Sequence, residues 1–191
     1  MPRRDDDNRA WAPSPWVVRF LRGVEHKHQV LDLACGAGRH ISPCISSGRP
    51  VTAVDRDTAE IRRRYSATPE HQLKILEIDL EDGRPFPFPP GSFDGVIVTN
   101  YLWRPILSDI IATASPGGVL IYETFQTGHE RHGKPTNSAF LLRPGELLAA
   151  VRDRLHVIAY EEVRLFRPDR VVQRICAVGP DHAWLKEPPP L

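Results

Sequence analysis

The sequence predicts an α/β fold with a mostly parallel sheet, helices on both faces and one antiparallel strand near the C-terminus. Short apolar runs of strand length alternate with segments of helical periodicity through the first two thirds of the chain. The turn Cys35-Gly36-Ala37-Gly38 joins the first apolar run to the helix that follows it. Two alternating segments close the chain. A βαβ order predicts parallel strands, and a terminal hairpin reverses one strand of the sheet.

The individual elements are predicted from periodicity and from their end signals. Ser14-Pro15 is a helix cap followed by a first-turn proline, so a helix is expected to begin there. Predicted strands cover residues 30–34, 51–55, 73–78, 93–98 and 119–123, and the hairpin covers 155–163 and 170–178. Predicted helices cover residues 15–23, 39–46, 59–67, 105–114 and 143–152.

The length of 191 residues predicts one domain with a substantial core. We assign it to residues 13–179, with a flexible arm at 1–12 and a tail at 180–191. The least regular internal stretch is residues 124–142, which contains two glycines, two histidines and a proline. Long connections of this kind are usually functional, so we expect this segment to form a lid on the substrate side of the site.

The composition is that of an ordinary soluble protein, with 41% hydrophobic residues, 26% charged residues and a net charge of +1. The near-neutral charge is evidence against DNA as a partner. No segment has the length of a membrane span or the form of a signal peptide. Three cysteines without metal or redox spacing predict a reduced cytoplasmic chain and no metal site. Cys35, beside the glycine turn, is either a small side chain that fills a tight loop or a reactive thiol.

Polar residues and a glycine follow several of the predicted strands at their carboxyl ends. Asp32 and Gly36 belong to the first strand and its turn, Asp55 ends the second, Asp79 follows the third and Asn100 follows the fourth. The carboxyl ends of parallel strands meet at one edge of the sheet, where ligands bind near the switch point beside strand 1. The sequence therefore predicts a nucleotide-type site at this edge.

The glycine turn limits which nucleotide this site could hold. A dinucleotide fingerprint needs a third glycine, but Ile41 occupies that place. A phosphate-binding P-loop needs Gly-Lys-Ser/Thr, which does not follow the turn. Arg56 could pair with the extra phosphate of NADP, but Asp55 directly before it would repel that group. These absences favour a ligand without a phosphate chain.

The stretch resembles motif I of the class I S-adenosylmethionine-dependent methyltransferases, whose Asp-x-x-x-Gly-x-Gly pattern is met by Asp32, Gly36 and Gly38. The resemblance continues in order along the chain through five further features: Asp55, Asp79-Leu80, Phe93-Asp94-Gly95-Val96, Pro116-Gly117-Gly118-Val119-Leu120 and the terminal hairpin. It covers roughly residues 14 to 178 and implies a Rossmann-like methyltransferase fold. Within the family, the chain looks similar to small bacterial enzymes of the tellurite-resistance and ubiquinone type.

This resemblance implies S-adenosylmethionine as the cofactor. Asp55 would accept hydrogen bonds from the ribose hydroxyls, and Asp79 from the adenine amino group. Asp32 would balance the ammonium group of the methionine portion, although a helix cap or loop acceptor is an alternative for it. The expected cofactor residues are Asp32, Ala34, Gly36, Gly38, Asp55, Arg56, Asp79, Leu80 and Asn100.

The acceptor side is less defined by the sequence. Its candidate residues are Tyr101, Trp103, Tyr122, Glu123, His129, Glu130 and His132, of which His129, His132, Tyr101 and Glu123 are the candidates for catalysis. For the two histidines, the alternative is a solvated loop position. Asn100-Tyr101-Leu102-Trp103 departs from the Asn-Pro-Pro-Tyr pattern of many amino-group methyltransferases that act on nucleic acid or protein. A small-molecule acceptor is therefore favoured, with RNA or protein as the alternative.

The sequence is also compatible with two other functions. The chain could bind the cofactor without catalysis and act as a partner or scaffold domain. It could also be an NAD(P)-dependent oxidoreductase. The sequence does not identify the acceptor atom or the oligomeric state.

Overall fold

The computed structural model describes residues 12–190. The predicted arm, residues 1–12, lies outside this range except for Ala12. No helix within the described range is long and apolar enough to cross a membrane.

Seven strands form one sheet in the order β3-β2-β1-β4-β5-β7-β6. The strands are β1 (Val30–Leu33), β2 (Val51–Asp55), β3 (Leu73–Glu77), β4 (Phe93–Thr99), β5 (Ala114–Phe125), β6 (His156–Leu165) and β7 (Arg170–Val178). β7 pairs antiparallel with both β5 and β6, so it is the single reversed strand of the sheet. The predicted topology, including the terminal hairpin, is confirmed.

Within residues 12–190, five α-helices accompany the sheet. They are α1 (Pro15–Leu21), α2 (Ile41–Ser46), α3 (Ala59–Arg64), α4 (Leu107–Ala112) and α5 (Glu146–Val151). Two separate clusters of buried apolar side chains lie on the two faces of the sheet. α1 to α3 contribute to the first cluster, while α4 and α5 contribute to the second. Helices therefore cover both faces, as the sequence predicts.

Helix α1 begins where the cap signal predicts. The Ser14 hydroxyl accepts a hydrogen bond from the backbone N–H of Trp16 at 3.2 Å, and Pro15 occupies the first turn. Trp16 and Phe20 are buried and pack edge to face, with ring centroids 4.7 Å apart. Each buried side chain of this size contributes about 1.5–3 kcal/mol. The helix is thereby fixed on the sheet beside the carboxyl end of β5.

The segment before β5 differs from the prediction. Residues 115–118 are predicted as a turn, but β5 begins at Ala114, which pairs with Phe93. The register then shifts, so that Gly95 faces Val119. The Pro-Gly-Gly sequence therefore lies in an irregularity between two paired stretches of the strand. At its other end β5 extends to Phe125, so the first two residues of the predicted lid are strand.

The C-terminal segment 180–191 is predicted as tail, but part of it packs on α1. His182 is buried, and its Nε2 donates to the carbonyl of Gly23 at 2.9 Å. The Trp184 ring lies so close to Gly23 that a Cβ atom there would be 2.4 Å from it. A side chain on residue 23 would displace the tryptophan. The packed part of the domain therefore extends beyond residue 179. The polarity and proline content of this segment do not indicate that it packs.

Candidate active site

A cleft opens at the carboxyl ends of β1, β2 and β4. It consists of two adjoining cavities of about 400 and 460 Å³ that share Ala34 and Asn100. The first cavity is lined by Asp55, Arg56, Ile78, Asp79, Leu80, Glu81, Tyr101 and Phe140, and the second by Cys35, Gly36, Ala37, Arg39 and Thr99. The cleft therefore lies at the edge of the sheet where the connectivity predicts a ligand.

The glycine turn gives the cleft a bare backbone wall. Gly36 has φ +56°, and a Cβ atom built on it would meet no other atom within 4 Å. Space beside Gly36 is thus available to a ligand. Gly38 serves a different purpose, because a Cβ atom there would approach Ile41 to 2.6 Å. Its small size allows α2 to begin close to the turn.

Two residues without the freedom of glycine also adopt left-handed backbone conformations at the cleft. Ala34 has φ +50° and Asn100 has φ +55°. Asparagine tolerates this region, whereas alanine does so at a cost of about 1–2 kcal/mol. Both residues line both cavities, so the left-handed backbone positions lie where the two cavities adjoin.

Asp55 connects β2 to the glycine turn. Its Oδ2 accepts a hydrogen bond from the Gly36 N–H at 2.7 Å, and its Oδ1 accepts one from the Asp57 N–H at 3.1 Å. Each carboxylate oxygen retains a further lone pair. Asp79 is arranged similarly, since its Oδ1 accepts from the Glu81 N–H at 2.9 Å. Both carboxylates are held by local backbone donors and keep acceptor capacity at the cleft.

Asp32 does not line the cleft. It is 1% exposed, and neither of its carboxylate oxygens has a hydrogen-bond partner. The nearest cationic or ring nitrogen recorded for it is Nδ1 of His40, 3.9 Å from Oδ1. A buried carboxylate without a hydrogen-bond partner is costly. The charge of Asp32 contributes to raising the pKa of Cys35 in the glycine turn.

Seven of the nine expected cofactor residues line the cleft, and Asp32 and Gly38 do not. The role of all nine residues in cofactor binding stays a prediction. The sequence reasoning did not assign Ile78, Glu81, Thr99, Arg39 and Phe140 to the site. The first four directly adjoin predicted site residues, so position in the sequence alone could have indicated them. Phe140 has no such neighbour, since it enters the cleft from the irregular segment between β5 and α5.

Tyr101 is the acceptor-side candidate that the structure places at the cleft. Its buried hydroxyl has no hydrogen-bond partner, and burial, together with the nearby charges of Glu81 and Asp79, raises the pKa of this tyrosine. The hydroxyl therefore stays protonated and can act as a donor. Tyr122, in contrast, is fully buried and donates to the Tyr101 carbonyl at 2.9 Å.

Glu123 lies at the carboxyl end of β5 but is fully buried. Both of its carboxylate oxygens accept from the Ser14 hydroxyl at 3.2 Å. The guanidinium nitrogens of Arg170 and Arg174 lie 3.4 and 3.7 Å from it. The carboxylate is thus enclosed by charge partners that tie β5 to β7 and to the start of α1, and it does not line the cleft.

The two histidines of the predicted lid do not line the cleft either. His129 is 3% exposed; the Val171 N–H donates to its Nδ1 at 3.4 Å, and its Nε2 donates to the Lys134 carbonyl at 2.9 Å. Both ring nitrogens are therefore occupied. His132 Nδ1 lies 3.1 Å from the carboxylate of Asp169, in the β6–β7 turn. These contacts tie the segment to the hairpin and place both histidines outside the lining of the cleft.

Trp103 and Glu130 also have structural contacts. Trp103 is half-buried against the apolar cluster that contains α4 and α5. Glu130 is exposed, and its carboxylate accepts from the Gly128 N–H at 2.7 Å. Within residues 12–190, no group of three or more histidine, cysteine or acidic side chains is arranged to hold a metal ion.

Residues 30–118 match the methyltransferase domain family. This range contains β1 to β4, the glycine turn, Asp55 and Asp79. Over this range, which is just under half of the chain, the sequence is similar to S-adenosylmethionine-dependent methyltransferases. This similarity implies S-adenosylmethionine as the cofactor.

Two solved methyltransferase-fold structures show how far the likeness extends. The 1,6-didemethyltoxoflavin-N1-methyltransferase of Burkholderia thailandensis, solved with its substrate and S-adenosylhomocysteine, is 17% identical with a TM-score of 0.65, over 93% of this chain and 84% of that one. TehB of Haemophilus influenzae is 19% identical with a TM-score of 0.66, over 85% of this chain and 61% of that one. At these identities the likeness concerns the fold.

A curated relative matches through part of the chain only. A protein-L-isoaspartate O-methyltransferase of Rhodopseudomonas palustris (strain BisB5) is 31% identical over 110 residues, which are 56% of this chain and 50% of the relative. The chain thus matches half the length of this relative.

The cleft fits the parts of S-adenosylmethionine. The open space beside Gly36 provides an unobstructed backbone wall, and the carboxylates of Asp55 and Asp79 provide acceptors for hydroxyl and amino groups. Among the described residues that line the cleft, Arg39 and Arg56 are the cationic ones. No lysine-bearing phosphate cradle is present there. The donor and acceptor set matches a ligand with a ribose, an adenine and an amino-acid end.

Proposed function

We propose that this protein is an active S-adenosylmethionine-dependent methyltransferase and that its acceptor is a small molecule. The observation that carries the proposal is the contact between Asp55 and the Gly36 N–H, 2.7 Å long, in a cleft that is open beside Gly36. The Asp55 carboxylate is thereby fixed beside the glycine turn, between the parts of the cleft proposed for the ribose and for the amino-acid end of the cofactor. This fixed geometry supports cofactor binding at the edge of the sheet.

Each residue has a distinct role in the proposal. Asp55 binds the ribose hydroxyls, while Asp79 and Leu80 border the adenine. Gly36 admits the methionine portion. Asp32 stabilises the ammonium of that portion by its buried charge, acting through the turn and without direct contact.

When bound, the cofactor supplies an activated methyl group on a sulfonium. The chain's task is to hold the acceptor in line with that group, and alignment alone can provide ~7–11 kcal/mol in favourable cases. Among the four catalytic candidates, His129 and Glu123 are fully engaged in structural contacts, and His132 faces the hairpin. Tyr101 is the candidate that can donate a hydrogen bond to an acceptor. The proposal therefore relies on positioning and requires no general base from the two histidines.

Two observations favour a small acceptor. The near-neutral net charge offers no strong attraction for nucleic acid. The Burkholderia thailandensis enzyme of similar fold was solved with a small heterocyclic substrate. RNA or protein as acceptor is the alternative, which the isoaspartate methyltransferase relative supports by its name. We place the protein in the cytoplasm as part of the same proposal.

Calorimetric titration with S-adenosylhomocysteine tests the cofactor premise. Asp55→Asn should weaken binding by about 10–100-fold, because hydrogen bonds to a charged group contribute about 1.5–3 kcal/mol each. Asp57→Asn is a matched control, since this neighbouring acid caps α3 through the Ala59 N–H and lies outside the cleft; it should bind within about twofold of wild type. Equal losses in both variants would refute the assigned role of Asp55.

A second experiment separates catalysis from binding. Methyl-labelled S-adenosylmethionine is incubated with the protein and with a cell extract divided into small-molecule, RNA and protein fractions. Label in the small-molecule fraction supports the proposal, and label in either macromolecular fraction supports the alternative acceptor. Binding without transfer would indicate a scaffold domain, whereas binding of NAD(P) in place of S-adenosylhomocysteine would indicate an oxidoreductase.

A further inference from the structure

Arg104 makes an unusually complete set of contacts just beyond the carboxyl end of β4. Its Nε and Nη2 donate to the two carboxylate oxygens of Glu146 at 2.7 and 2.9 Å. The same guanidinium donates from Nη1 to the Ala139 carbonyl at 2.6 Å and from Nη2 to the Leu141 carbonyl at 2.8 Å. One side chain thus joins the exit of β4 to the first residue of α5 and to the segment before it.

The two carbonyl groups flank Phe140, which lines the cleft. Phe140 ends a short 3₁₀ turn, Ser138–Phe140, which is capped by the Asn137 side chain through the Ala139 N–H at 2.9 Å. Carbonyl groups on both sides of a residue define the direction of its backbone. By contacting both carbonyls, Arg104 constrains the backbone path through Phe140.

The contacts require a guanidinium. Its planar fork can serve one carboxylate in a bidentate manner while other N–H groups reach two carbonyls. A lysine has a single nitrogen and cannot span these acceptors. Glu146 is itself held by the Arg143 N–H at 2.7 Å, so the fork docks against a fixed carboxylate.

We propose that Arg104 is a positioning residue of the cofactor site, which acts by holding Phe140 as a wall of the cavity that contains Asp55 and Asp79. This inference rests on the proposed function, because that cavity is the one assigned to the adenosine portion of the cofactor. Arg104 does not line either cavity of the cleft. Its influence on binding passes through Phe140.

Two ligands locate the effect within the cleft. S-adenosylhomocysteine fills the whole site, whereas 5′-methylthioadenosine carries the adenosine without the amino-acid end. Phe140 belongs to the adenosine cavity and not to the one beside Gly36. Loss of its wall should weaken the two ligands by the same factor, while a general distortion of the glycine turn would weaken the first ligand more.

The experiment is a double-mutant cycle read by calorimetry. Arg104→Met and Phe140→Ala should each weaken both ligands by about 5–20-fold, and the double variant should bind like Phe140→Ala alone. Arg104→Lys should restore little of the loss. Arg154→Met is the control, because the hydrogen bond of that exposed guanidinium within the described residues goes to the Ser108 carbonyl, at 3.2 Å and away from the cleft. It should leave both affinities unchanged.

The outcomes distinguish this inference from the proposed function. If the wild-type protein binds neither ligand, both fail together. If the wild type binds but Arg104→Met binds equally well, the positioning role alone is overturned. Additive losses in the double variant would also overturn it, since they would show that Arg104 does not act through Phe140. Should Arg104→Met fail to fold, Glu146→Gln weakens the same fork, and its loss must likewise vanish in the Phe140→Ala background.

Discussion

The backbone N–H of Ser14 donates a hydrogen bond to Nε2 of His40 across 3.2 Å, although 26 residues separate them in sequence. In a neutral ring the proton must then lie on Nδ1, which faces Asp32 Oδ1 at 3.9 Å. The Ser14 hydroxyl also reaches Glu123. One residue at the start of α1 thus contacts the buried acid of β5 directly and also contacts the ring that faces the buried acid of β1.

Replacing His40 should destabilise the protein strongly. His40→Ala leaves the Ser14 N–H without its acceptor and opens space beside Asp32, so we expect a loss of about 2–3 kcal/mol in the free energy of unfolding. His28→Ala is the control, because that exposed ring lies 3.8–4.0 Å from the carboxylates of Glu25 and Asp94, and its loss should cost less than about 0.5 kcal/mol. Urea denaturation measures both. A His40→Ala variant as stable as the control would show that the buried contact contributes nothing.

The order of elements and the direction of the last hairpin could be predicted because hydrophobic periodicity and end signals are local. The same logic correctly placed Asp55 and Asp79 at one sheet edge. Residues 115–118 could not be predicted, since whether Pro-Gly-Gly forms a turn or a bulge depends on the pairing of Phe93 with Ala114. The docking of Trp184 on Gly23 depends on a contact between distant chain segments.

The roles of single side chains were the hardest to predict. His129 and His132 have residue types suited to acid–base work, yet their partners, the Lys134 carbonyl and Asp169, are determined by the folded path of the segment. Phe140 enters the cleft for the same reason. Residue type indicates what a group can do, but its neighbours in the fold decide whether it is free to do so.

Ala34 occupies a position that suits glycine. Its φ of +50° strains the backbone by about 1–2 kcal/mol, while the extra freedom of glycine in the unfolded chain costs about 0.5–1 kcal/mol. Ala34→Gly should therefore raise the free energy of unfolding by up to about 1 kcal/mol. Ala53→Gly, in the buried strand β2, has no such strain to relieve and should lower it by about 1 kcal/mol. Comparable destabilisation of both variants in urea would contradict the strain.

The three cysteines should be unreactive in the folded protein. All are buried, and burial raises the pKa of each thiol; the charges of Asp32 and Asp55 raise that of Cys35 further. Thiolate is the reactive form. With Ellman's reagent at pH 8, we expect negligible reaction in buffer and three equivalents in urea. Rapid reaction of one native thiol, traced to Cys35 by mass spectrometry, would mean that the glycine turn opens readily.

Glu146 should make the protein sensitive to acid. Burial raises the pKa of its carboxyl group, but hydrogen bonds from Arg104 and the Arg143 N–H outweigh burial and hold that pKa below its ordinary value. A lowered folded-state pKa contributes stability that is complete above the unfolded value of about 4.3 and is lost as pH falls through the folded value.

The free energy of unfolding of wild type should thus exceed that of Glu146→Gln by about 2 kcal/mol at pH 7, and the difference should shrink below about pH 4. Glu25→Gln, at a largely exposed position, should differ from wild type by less than about 0.5 kcal/mol at pH 7. Urea titrations between pH 3 and 7 measure these differences, and a Glu146 difference that stays constant across the range would mean that its carboxylate is not stabilised by the Arg104 fork.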